Sequence, residues 1–332
     1  MSAAGVAIVA ELNGGMPTSL SRELLGVARR IVARIGGQVG VVCPGADGRA
    51  AVELIAYGAD KVYTAGDPNQ TDYDSDEWTA CATAVVGEAQ PAAVLIGHTT
   101  SGADLAPRLA FRIGAGVATG CVAINVEAGA LRFTRPCYGG NVRETVSFKT
   151  NVAVGTVRAG CCDALERDPQ RTGETVTIEL DKAAQRTRVV ERRRDQGTDV
   201  RLEDARVVVA GGRGLDGPEG FEVLAGLARE LNGAVGASRV PCDLGWCPHS
   251  MQIGLTGKTV TPDLYIAVGI SGAGHHMAGC GNARNIIAIN TDAEAAIYKD
   301  ARWGVVGDYR KVVPALVAAI RELRAAGKTE TA

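Results

Sequence analysis

The sequence predicts an α/β protein of two domains, each built on a doubly wound sheet of mainly parallel strands with helices on its faces. Three observations lead to this prediction. Short apolar runs rich in β-branched residues alternate with amphipathic stretches along most of the 332 residues. The 43 glycines suit many tight junctions between strands and helices. A charged stretch separates two regions that each show the alternation.

The first third of the chain alternates strand and helix patterns in the order of a parallel sheet. The helix expected at 20–35 has apolar residues at helical spacing and a cap at Thr18 or Ser19. The acidic stretch 72–77 predicts a loop. The turn 97–102 has too few glycines for a phosphate loop, so we interpret it as a structural turn with hydroxyl caps. Strands are predicted at 6–10, 39–42, 61–63 and 93–96, and helices at 20–35, 51–57, 79–88 and 104–113.

The pattern changes between residues 120 and 160, where four short runs have period-two character. Alternation of this kind is typical of antiparallel strands with one exposed face. We therefore predict antiparallel additions to the first sheet, rather than further strand–helix units, at 122–126, 131–135, 145–149 and 151–157.

A charged stretch at 185–204, with three consecutive arginines at 192–194, marks the predicted domain boundary. Such a run is usually a solvated linker, and an anion-binding patch is the alternative. We assign residues 1–190 to the N-terminal domain, 191–204 to the linker, 205–325 to the C-terminal domain and 326–332 to a tail.

The C-terminal domain repeats the alternation on a smaller scale. A strand beginning at Val207 leads into a glycine turn at 211–214, and two buried strands flank a turn of glycines, serine and histidines at 269–276. Glycines there let the backbone approach a ligand, and amides at a helix start can hold an anion. Further strands are predicted at 264–268, 286–289 and 304–307, and helices at 221–231 and 312–323.

Composition argues against several classes of function. A formal net charge of −2 gives no basic field for nucleic acid. The apolar runs are shorter than the ~20 residues of a membrane helix, which predicts no direct membrane insertion. The first ten residues lack the basic region of a secretory signal, so we predict a cytoplasmic protein.

The nine cysteines are an odd number at irregular spacing, which predicts reduced thiols rather than a disulfide framework. A zinc or iron–sulfur site is the alternative for Cys242, Cys247 and nearby His249. Such a site needs a second ligand pair, and the sequence offers only Cys280 close by. We therefore predict no metal.

Polar residues that follow the predicted strands of the C-terminal domain indicate a ligand site, because ligands of open α/β sheets bind beyond the carboxyl ends of the strands. The set suits a nucleotide or dinucleotide. The chain has no first-strand GxGxxG of a nicotinamide-binding fold and no clear catalytic dyad, which argues against a simple dehydrogenase. The residues are Arg213, Ser238, Arg239, the turn 271–276, Asn290 and Asp308.

Short motifs run through both domains. Those of the C-terminal domain are GGRG (211–214), VGASR (235–239), QIGLTGK (252–258), PDLYIAVGISGA (262–273), HMAG (276–279) and AIN (288–290). Those of the N-terminal domain are DLAPRLA (104–110), TRP (134–136), YGGN (138–141) and TVRAG (156–160). In this order they resemble the α subunit of electron transfer flavoproteins over nearly the whole chain, which is far more specific than one glycine loop.

The resemblance implies a flavodoxin/Rossmann-like C-terminal domain that binds FAD, and a heterodimer with a β subunit that holds AMP or a second FAD. It implies that Arg239 lies against the isoalloxazine ring, that Thr256 bonds near flavin N5, and that His276 lies near the C2 carbonyl. Arg213 would lie near the flavin edge that faces the partner.

The remaining cofactor contacts also follow from the resemblance. Ser238, Gln252 and Gly269 would line the path of the ribityl chain and pyrophosphate, together with the turn formed by Ser271, Gly272 and Ala273. Asn290 and Asp308 would serve the adenosine end, and Gly214 and Gly257 belong to the glycine motifs assigned to the cofactor site.

Taken alone, three of these residues have plainer interpretations. Arg239 would be a surface arginine, Thr256 a cap, and His276 a satisfied core histidine at a helix start. In the context of the motifs, the flavin roles are favoured. A cation and a hydrogen-bond donor beside the ring would stabilise negative charge on it and shift its potential.

Two positions depart from the family pattern. His275 stands where the family commonly has Gln, and adds a second imidazole that would make the flavin potential depend on pH. Leu255 stands where the family often has Gln, and removes a polar side chain from the N5 side.

The resemblance implies an electron carrier rather than a substrate-transforming enzyme. FAD would receive electrons from acyl-CoA dehydrogenase-type donors and pass them to a quinone oxidoreductase or another acceptor, with the linker acting as a hinge. One alternative is an electron-bifurcating flavoprotein that works with NADH and a second FAD on the β subunit. The other is a nucleotide-binding module without redox function.

Overall fold

The structure is a computed structural model that describes residues 5–66, 73–138, 142–180 and 202–329. Two compact units divide the chain, Met1–Arg194 and Asp195–Ala332. The linker predicted at 191–204 lies, up to residue 201, outside the described residues. The tail predicted from residue 326 is helical as far as Thr329, because the last helix continues through it.

The first unit contains a seven-stranded parallel sheet with a three-stranded antiparallel sheet beside it. In chain order the strands are β1 (Gly5–Val9), β2 (Leu12–Asn13), β3 (Met16–Pro17), β4 (Gln38–Val42), β5 (Lys61–Thr64), β6 (Ala93–Gly97), β7 (Gly116–Cys121), β8 (Ala123–Glu127), β9 (Ala130–Cys137), β10 (Val142–Val146), β11 (Ala153–Val157) and β12 (Glu174–Thr177). The order across the parallel sheet is β12-β5-β4-β1-β6-β11-β7, and the order across the antiparallel sheet is β10-β9-β8. The helices are α1 (Ser19–Ile35), α2 (Gly48–Ala56), α3 (Ser75–Ala89) and α4 (Thr100–Ile113).

Local chemistry explains where these helices begin. The hydroxyl of Thr18 accepts a hydrogen bond from the backbone of Ser21 and caps α1, as predicted. The Thr99 hydroxyl accepts from the Gly102 amide at 3.0 Å, which confirms a hydroxyl-capped structural turn there. Helix α4 consequently begins four residues before its predicted start at Asp104.

One predicted loop is partly helix. Helix α3 begins at Ser75, inside the acidic stretch predicted as a loop, because the Asp74 carboxylate accepts from the amides of Asp76 and Glu77. Acidic side chains in a first turn also interact favourably with the helix dipole. The acidic composition therefore indicated a helix start.

The prediction for 151–157 was wrong in orientation. β11 pairs in parallel with β6 and β7 and is a central strand of the main sheet. All five of its residues are buried, so its sequence carries no one-sided alternation. β7 was not predicted, since its small residues, GVATGC, form no apolar run. The antiparallel additions are confirmed for β8, β9 and β10, and β10 lies three residues earlier than expected.

The second unit contains a five-stranded parallel sheet. Its strands are β13 (Val207–Gly211), β14 (Ala234–Ala237), β15 (Leu264–Val268), β16 (Ile286–Asn290) and β17 (Trp303–Val306). Their order across the sheet is β14-β13-β15-β16-β17. Its helices are α5 (Glu219–Glu230), α6 (Arg239–Asp243), α7 (Gly274–Cys280) and α8 (Tyr309–Thr329). Apolar side chains pack on both faces of this sheet.

The order of the second sheet determines where a ligand can bind. The chain leaves β13 for β14 on one side and then returns to β15 on the other side. The connections diverge between β13 and β15, which leaves a crevice at the carboxyl ends of these strands. The α/β class with two parallel sheets and an antiparallel addition is therefore confirmed.

Candidate functional site

A cavity of about 620 Å³ lies at the carboxyl edge of the second sheet. Its size is within the ~300–1,000 Å³ of typical small-molecule and cofactor sites. Predicted site residues that line it are Arg213, Gly214, Ser238, Arg239, Gln252, Thr256, Gly269, Ser271, Ala273, His275, His276 and Asn290. These residues, which the sequence pattern predicted, therefore lie on one continuous surface. The FAD contact assigned to each of them stays a prediction.

Close approach of two glycine turns forms the base of the crevice. The Gly214 amide donates to the Gly269 carbonyl at 3.0 Å, which joins the turns after β13 and β15. A Cβ on Gly212 would lie 2.2 Å from the same carbonyl oxygen. Any larger residue at position 212 would force these turns apart, so the GGRG motif is a packing requirement.

The turn after β15 is fixed from behind by another backbone contact. Gly272 has φ of +83°, and a Cβ there would lie 2.3 Å from the amide nitrogen of Ile297. That amide donates to the Ser271 carbonyl at 3.0 Å. Gly272 is therefore buried beneath the turn, while Ser271 and Ala273 face the cavity.

Two guanidinium groups border the cavity. Arg239 directly follows the N-cap of α6, its side chain is 68% exposed, and its Nε donates to the Asp243 carboxylate at 3.1 Å. An exposed pair one helical turn apart contributes little stability, so Arg239 can reorient towards a ligand. Arg213 lies in the exposed turn after β13. These cations suit an anionic ligand.

The segment after α6 forms a further wall. Gln252 is 8% exposed, and its amide nitrogen donates to the Thr256 hydroxyl at 3.0 Å. Leu255 is 51% exposed, and its backbone amide donates to the His275 carbonyl at 2.7 Å. This bond joins the wall to the start of α7. Two departures from the family pattern, Leu255 and His275, are thus neighbours on the cavity surface.

His276 is held at both ring nitrogens by protein groups. Nδ1 lies 3.1 Å from the Ile253 carbonyl and Nε2 lies 2.9 Å from the Tyr265 hydroxyl. A carbonyl only accepts, so Nδ1 carries the proton and the neutral ring accepts at Nε2 from Tyr265. Burial lowers the pKa of His276, which favours this neutral form. These bonds match the plainer interpretation of His276, a core histidine whose ring nitrogens are both hydrogen-bonded.

The far end of the cavity contains Asn290, the last residue of β16, and Asp292, two residues beyond it. The Asn290 side chain donates to the Ile270 carbonyl at 2.9 Å and accepts from the Asp292 amide at 3.1 Å. Gly257, Gly272 and Asp308 are not among the lining residues. The Asp308 carboxylate instead accepts from the Arg310 amide at 2.9 Å at the start of α8.

Sequence reasoning missed several lining residues: Val240, Ile253, Gly254, Ile270, Asp292 and Ala295, while Leu255 was considered only as a departure from the family. Each lies within three residues of a predicted site residue, except Ala295. Most are apolar, and nothing in their type indicates a ligand. Asp292 is the exception, because a carboxylate two residues beyond a buried strand is a recognisable signal.

The described residues hold no group of three or more His, Cys, Asp or Glu side chains that could bind a metal ion. Nor does any helix among them combine the length and apolar character needed to cross a membrane.

Family models match both units. The model described as the electron transfer flavoprotein domain matches residues 6–183, more than half of the chain. The model described as the electron transfer flavoprotein FAD-binding domain matches residues 201–281, which include most of the cavity.

Full-length relatives agree. The electron transfer flavoprotein subunit alpha of Bacillus subtilis is 40% identical over 318 residues, covering 96% of this chain and 98% of the relative. That of Thermoanaerobacterium thermosaccharolyticum is 38% identical, with 96% and 98% covered. Protein FixB of Clostridium saccharobutylicum is 37% identical, with 96% and 97% covered. The chain therefore belongs to the family of electron transfer flavoprotein alpha subunits.

Proposed function

We propose that this chain is the α subunit of a heterodimeric electron transfer flavoprotein and that it binds FAD in the cavity of its second unit. The observation that carries the proposal is the convergence of two cations, glycine turns and polar side chains at one sheet edge. A dinucleotide needs an elongated site with a place for its phosphates, and a crevice between diverging connections offers both.

The residues present fit FAD. The turn at 269–273 can approach a pyrophosphate closely, since Gly269 lines the cavity without a side chain and Ser271 offers a hydroxyl. Arg213 and Arg239 can neutralise negative charge. Asn290 and Asp292 can accept hydrogen bonds from ribose or adenine at the far end. We propose no FAD contact for Asp308, because it caps α8 outside the cavity.

Bound FAD would supply reversible uptake and release of single electrons. The chain orients and tunes that group. Arg239 would lie against the isoalloxazine ring, where its charge favours an electron-rich ring, and the Gln252 amide orients the Thr256 hydroxyl near N5. His276 would border the C2 carbonyl. It can donate from Nε2 only when that nitrogen gains a proton, because the one proton of the neutral ring is on Nδ1 and is donated to the Ile253 carbonyl.

The proposal includes partners and a compartment. The β subunit would bind beside this chain, the electron donors would be acyl-CoA dehydrogenases, and the acceptor would be a quinone oxidoreductase or another redox protein. The chain would work in the cytoplasm, where its nine free cysteines would stay reduced.

Co-expression of the chain with its β subunit tests the proposal. We expect a yellow heterodimer with one FAD, reduced by an acyl-CoA together with its dehydrogenase and inert to NADH. Two FAD per heterodimer and reduction by NADH would instead indicate a bifurcating flavoprotein. A colourless protein that binds ATP or AMP would contradict the flavin proposal and indicate a nucleotide-binding module.

A further inference from the structure

A tight turn at the end of α6 brings two cysteines together. Gly245 has a left-handed φ of 73°, and its amide donates to the Cys242 carbonyl at 3.0 Å. The next amide, of Trp246, donates to the Pro241 carbonyl at 2.9 Å. This is the Schellman arrangement, in which a glycine after the last helical residues reverses the chain. Cys247 thus returns to Cys242, and the two sulfur atoms lie 3.6 Å apart.

The two thiols are close enough to be cross-linked. A disulfide has a sulfur–sulfur distance of about 2.05 Å, so the sulfurs need to approach by only roughly 1.5 Å. Cys242 is 3% exposed and Cys247 is 9% exposed, which restricts the oxidant to a small molecule. Burial raises the pKa of Cys242, but a hydrogen bond from the Cys247 thiol opposes that rise. Cys242 is therefore the sulfur that ionises more readily.

The pair lies within a wall of the cavity. Cys242 contacts the carbonyl of Ser238 at 3.6 Å through its sulfur, and Ser238 and Arg239 both line the cavity. Beyond Cys247 the chain reaches Gln252, which also lines the cavity and pairs with Ala237, the residue before Ser238. A bond between the two sulfurs would therefore tie together a segment whose two ends both contact the ligand space.

We propose that Cys242 and Cys247 form a reversible disulfide with a peroxide as oxidant, and that this bond clamps the 238–252 wall of the cavity. The Cys242 thiolate attacks one peroxide oxygen, giving a sulfenic acid and hydroxide, which takes up the proton released by the thiol to form water. The Cys247 sulfur then displaces the sulfenic oxygen, which leaves as a second water with the Cys247 proton. Overall, two thiols and one hydrogen peroxide give one disulfide and two waters.

The clamp has a measurable consequence for the cofactor. A cross-link reduces the number of open conformations available to the wall, and opening is required for release of a bound ligand. We expect FAD to leave the oxidised complex about threefold more slowly. The expected effect on FAD release rests on the proposed function, whereas formation of the disulfide does not.

Mass spectrometry tests the disulfide directly. The purified αβ complex is treated with hydrogen peroxide, alkylated and digested with trypsin, which releases residues 240–258 as one peptide containing both cysteines and no other. The expected peptide carries no alkyl group and is two hydrogens lighter than the reduced form, and dithiothreitol restores two alkylated cysteines. Two alkylated cysteines after peroxide, or a sulfur carrying two or three oxygens, would overturn the proposal.

Release of FAD tests the clamp. Flavin fluorescence is followed after dilution of three complexes: the wild-type complex with Cys242 and Cys247 as thiols, the peroxide-treated wild-type complex, and the peroxide-treated Cys247→Ser complex. Cys242→Ala is the second variant if Cys247→Ser fails to fold. Slower release only in the oxidised wild-type complex supports the clamp. An unchanged rate, or the same slowing in the variant, would refute it. A complex without FAD would contradict the proposed function, and the peptide analysis would still decide the disulfide.

Discussion

The hydroxyl of Tyr265 lies 2.9 Å from Nε2 of His276, and both side chains are buried. Tyr265 belongs to β15 and His276 to α7, so the bond joins the two elements on either side of the glycine turn that borders the cavity. With the bond from His276 to the Ile253 carbonyl, it sets the tautomer of the imidazole. Tyr265 thus positions a cavity residue without lining the cavity itself.

We expect Tyr265→Phe to destabilise the protein by about 1–3 kcal/mol, because the buried Nε2 of His276 loses its hydrogen-bond donor. Urea denaturation of the full chain would measure the loss. Tyr57→Phe is the matched control, since the Tyr57 hydroxyl has no hydrogen bond to any described residue and its ring can still contact Arg22. Equal stability of the two variants would show that the Tyr265 hydroxyl contributes nothing.

Stability should also depend on pH through His276. Burial lowers its pKa in the folded chain, so below the ordinary histidine pKa of about 6.5 the unfolded chain binds more protons. The free energy of unfolding then falls as pH falls through that range, by at most ~1.4 kcal/mol per pH unit for one group. His98, whose pKa burial also lowers, acts in the same direction in the first unit.

Urea titrations between pH 7.5 and pH 5.5 would separate these contributions. His276→Asn should reduce the slope of stability against pH, whatever its effect on absolute stability. His275→Gln is the control variant, because it replaces the neighbouring histidine, which is exposed. An identical slope in the His276 variant and the wild-type chain would contradict the assignment.

Gly272 and Gly274 allow a test of whether a positive φ and a crowded Cβ position make glycine necessary at residue 272. Gly272→Ala should destabilise the second unit by ~1–3 kcal/mol or more and reduce FAD retention, because φ is +83° and a Cβ would meet the Ile297 backbone at 2.3 Å. Gly274→Ala should be tolerated, because nothing lies within 4 Å of its Cβ position. Thermal unfolding and FAD content of the two variants would be compared, and equal effects would count against the strain argument.

The ends of strands were the most predictable feature of the site. Ser238 and the turn at 271–273 follow buried strands, and Asn290 is the last residue of one. Parallel topology brings such positions to one edge whatever the details of packing. Asp308 also follows a strand, but its carboxylate caps the next helix. A strand pattern cannot distinguish a side chain that contacts a ligand from one that caps a helix.

Other features depended on contacts that no local pattern contains. β11 is buried between β6 and β7, whereas β7 is half-buried at the edge of the sheet. Both strands consist largely of small residues, so neither apolar runs nor one-sided alternation marked their place in the sheet. The bonds of His276 depend on Tyr265, eleven residues earlier on another element. The meeting of Cys242 with Cys247 depends on the left-handed conformation of Gly245, which sequence permits but does not require.

The charge of Arg239 should raise the potential of the bound flavin. Arg239→Ala is expected to lower that potential by tens of millivolts while FAD stays bound, since a tenfold change in a one-electron equilibrium corresponds to about 59 mV. Redox titration of the complex would measure the shift. Arg206→Ala is the control, because Arg206 is also an exposed, paired arginine but precedes β13 at the opposite end of the sheet. Equal potentials for Arg239→Ala and wild type would exclude the electrostatic role.

His275 should make the flavin potential depend on pH. Its exposed imidazole lines the cavity with Arg239 and Asp292, and a histidine gains positive charge as pH falls from about 8 to 5. Added positive charge favours the electron-rich reduced flavin, so the potential of the wild-type complex should rise above that of His275→Gln as pH is lowered. We expect the difference between the two potentials to grow to tens of millivolts as pH is lowered. His249→Gln, which removes an exposed histidine that does not line the cavity, should follow the wild-type complex. If His275→Gln follows the wild-type complex as well at every pH, the second imidazole has no effect on the flavin.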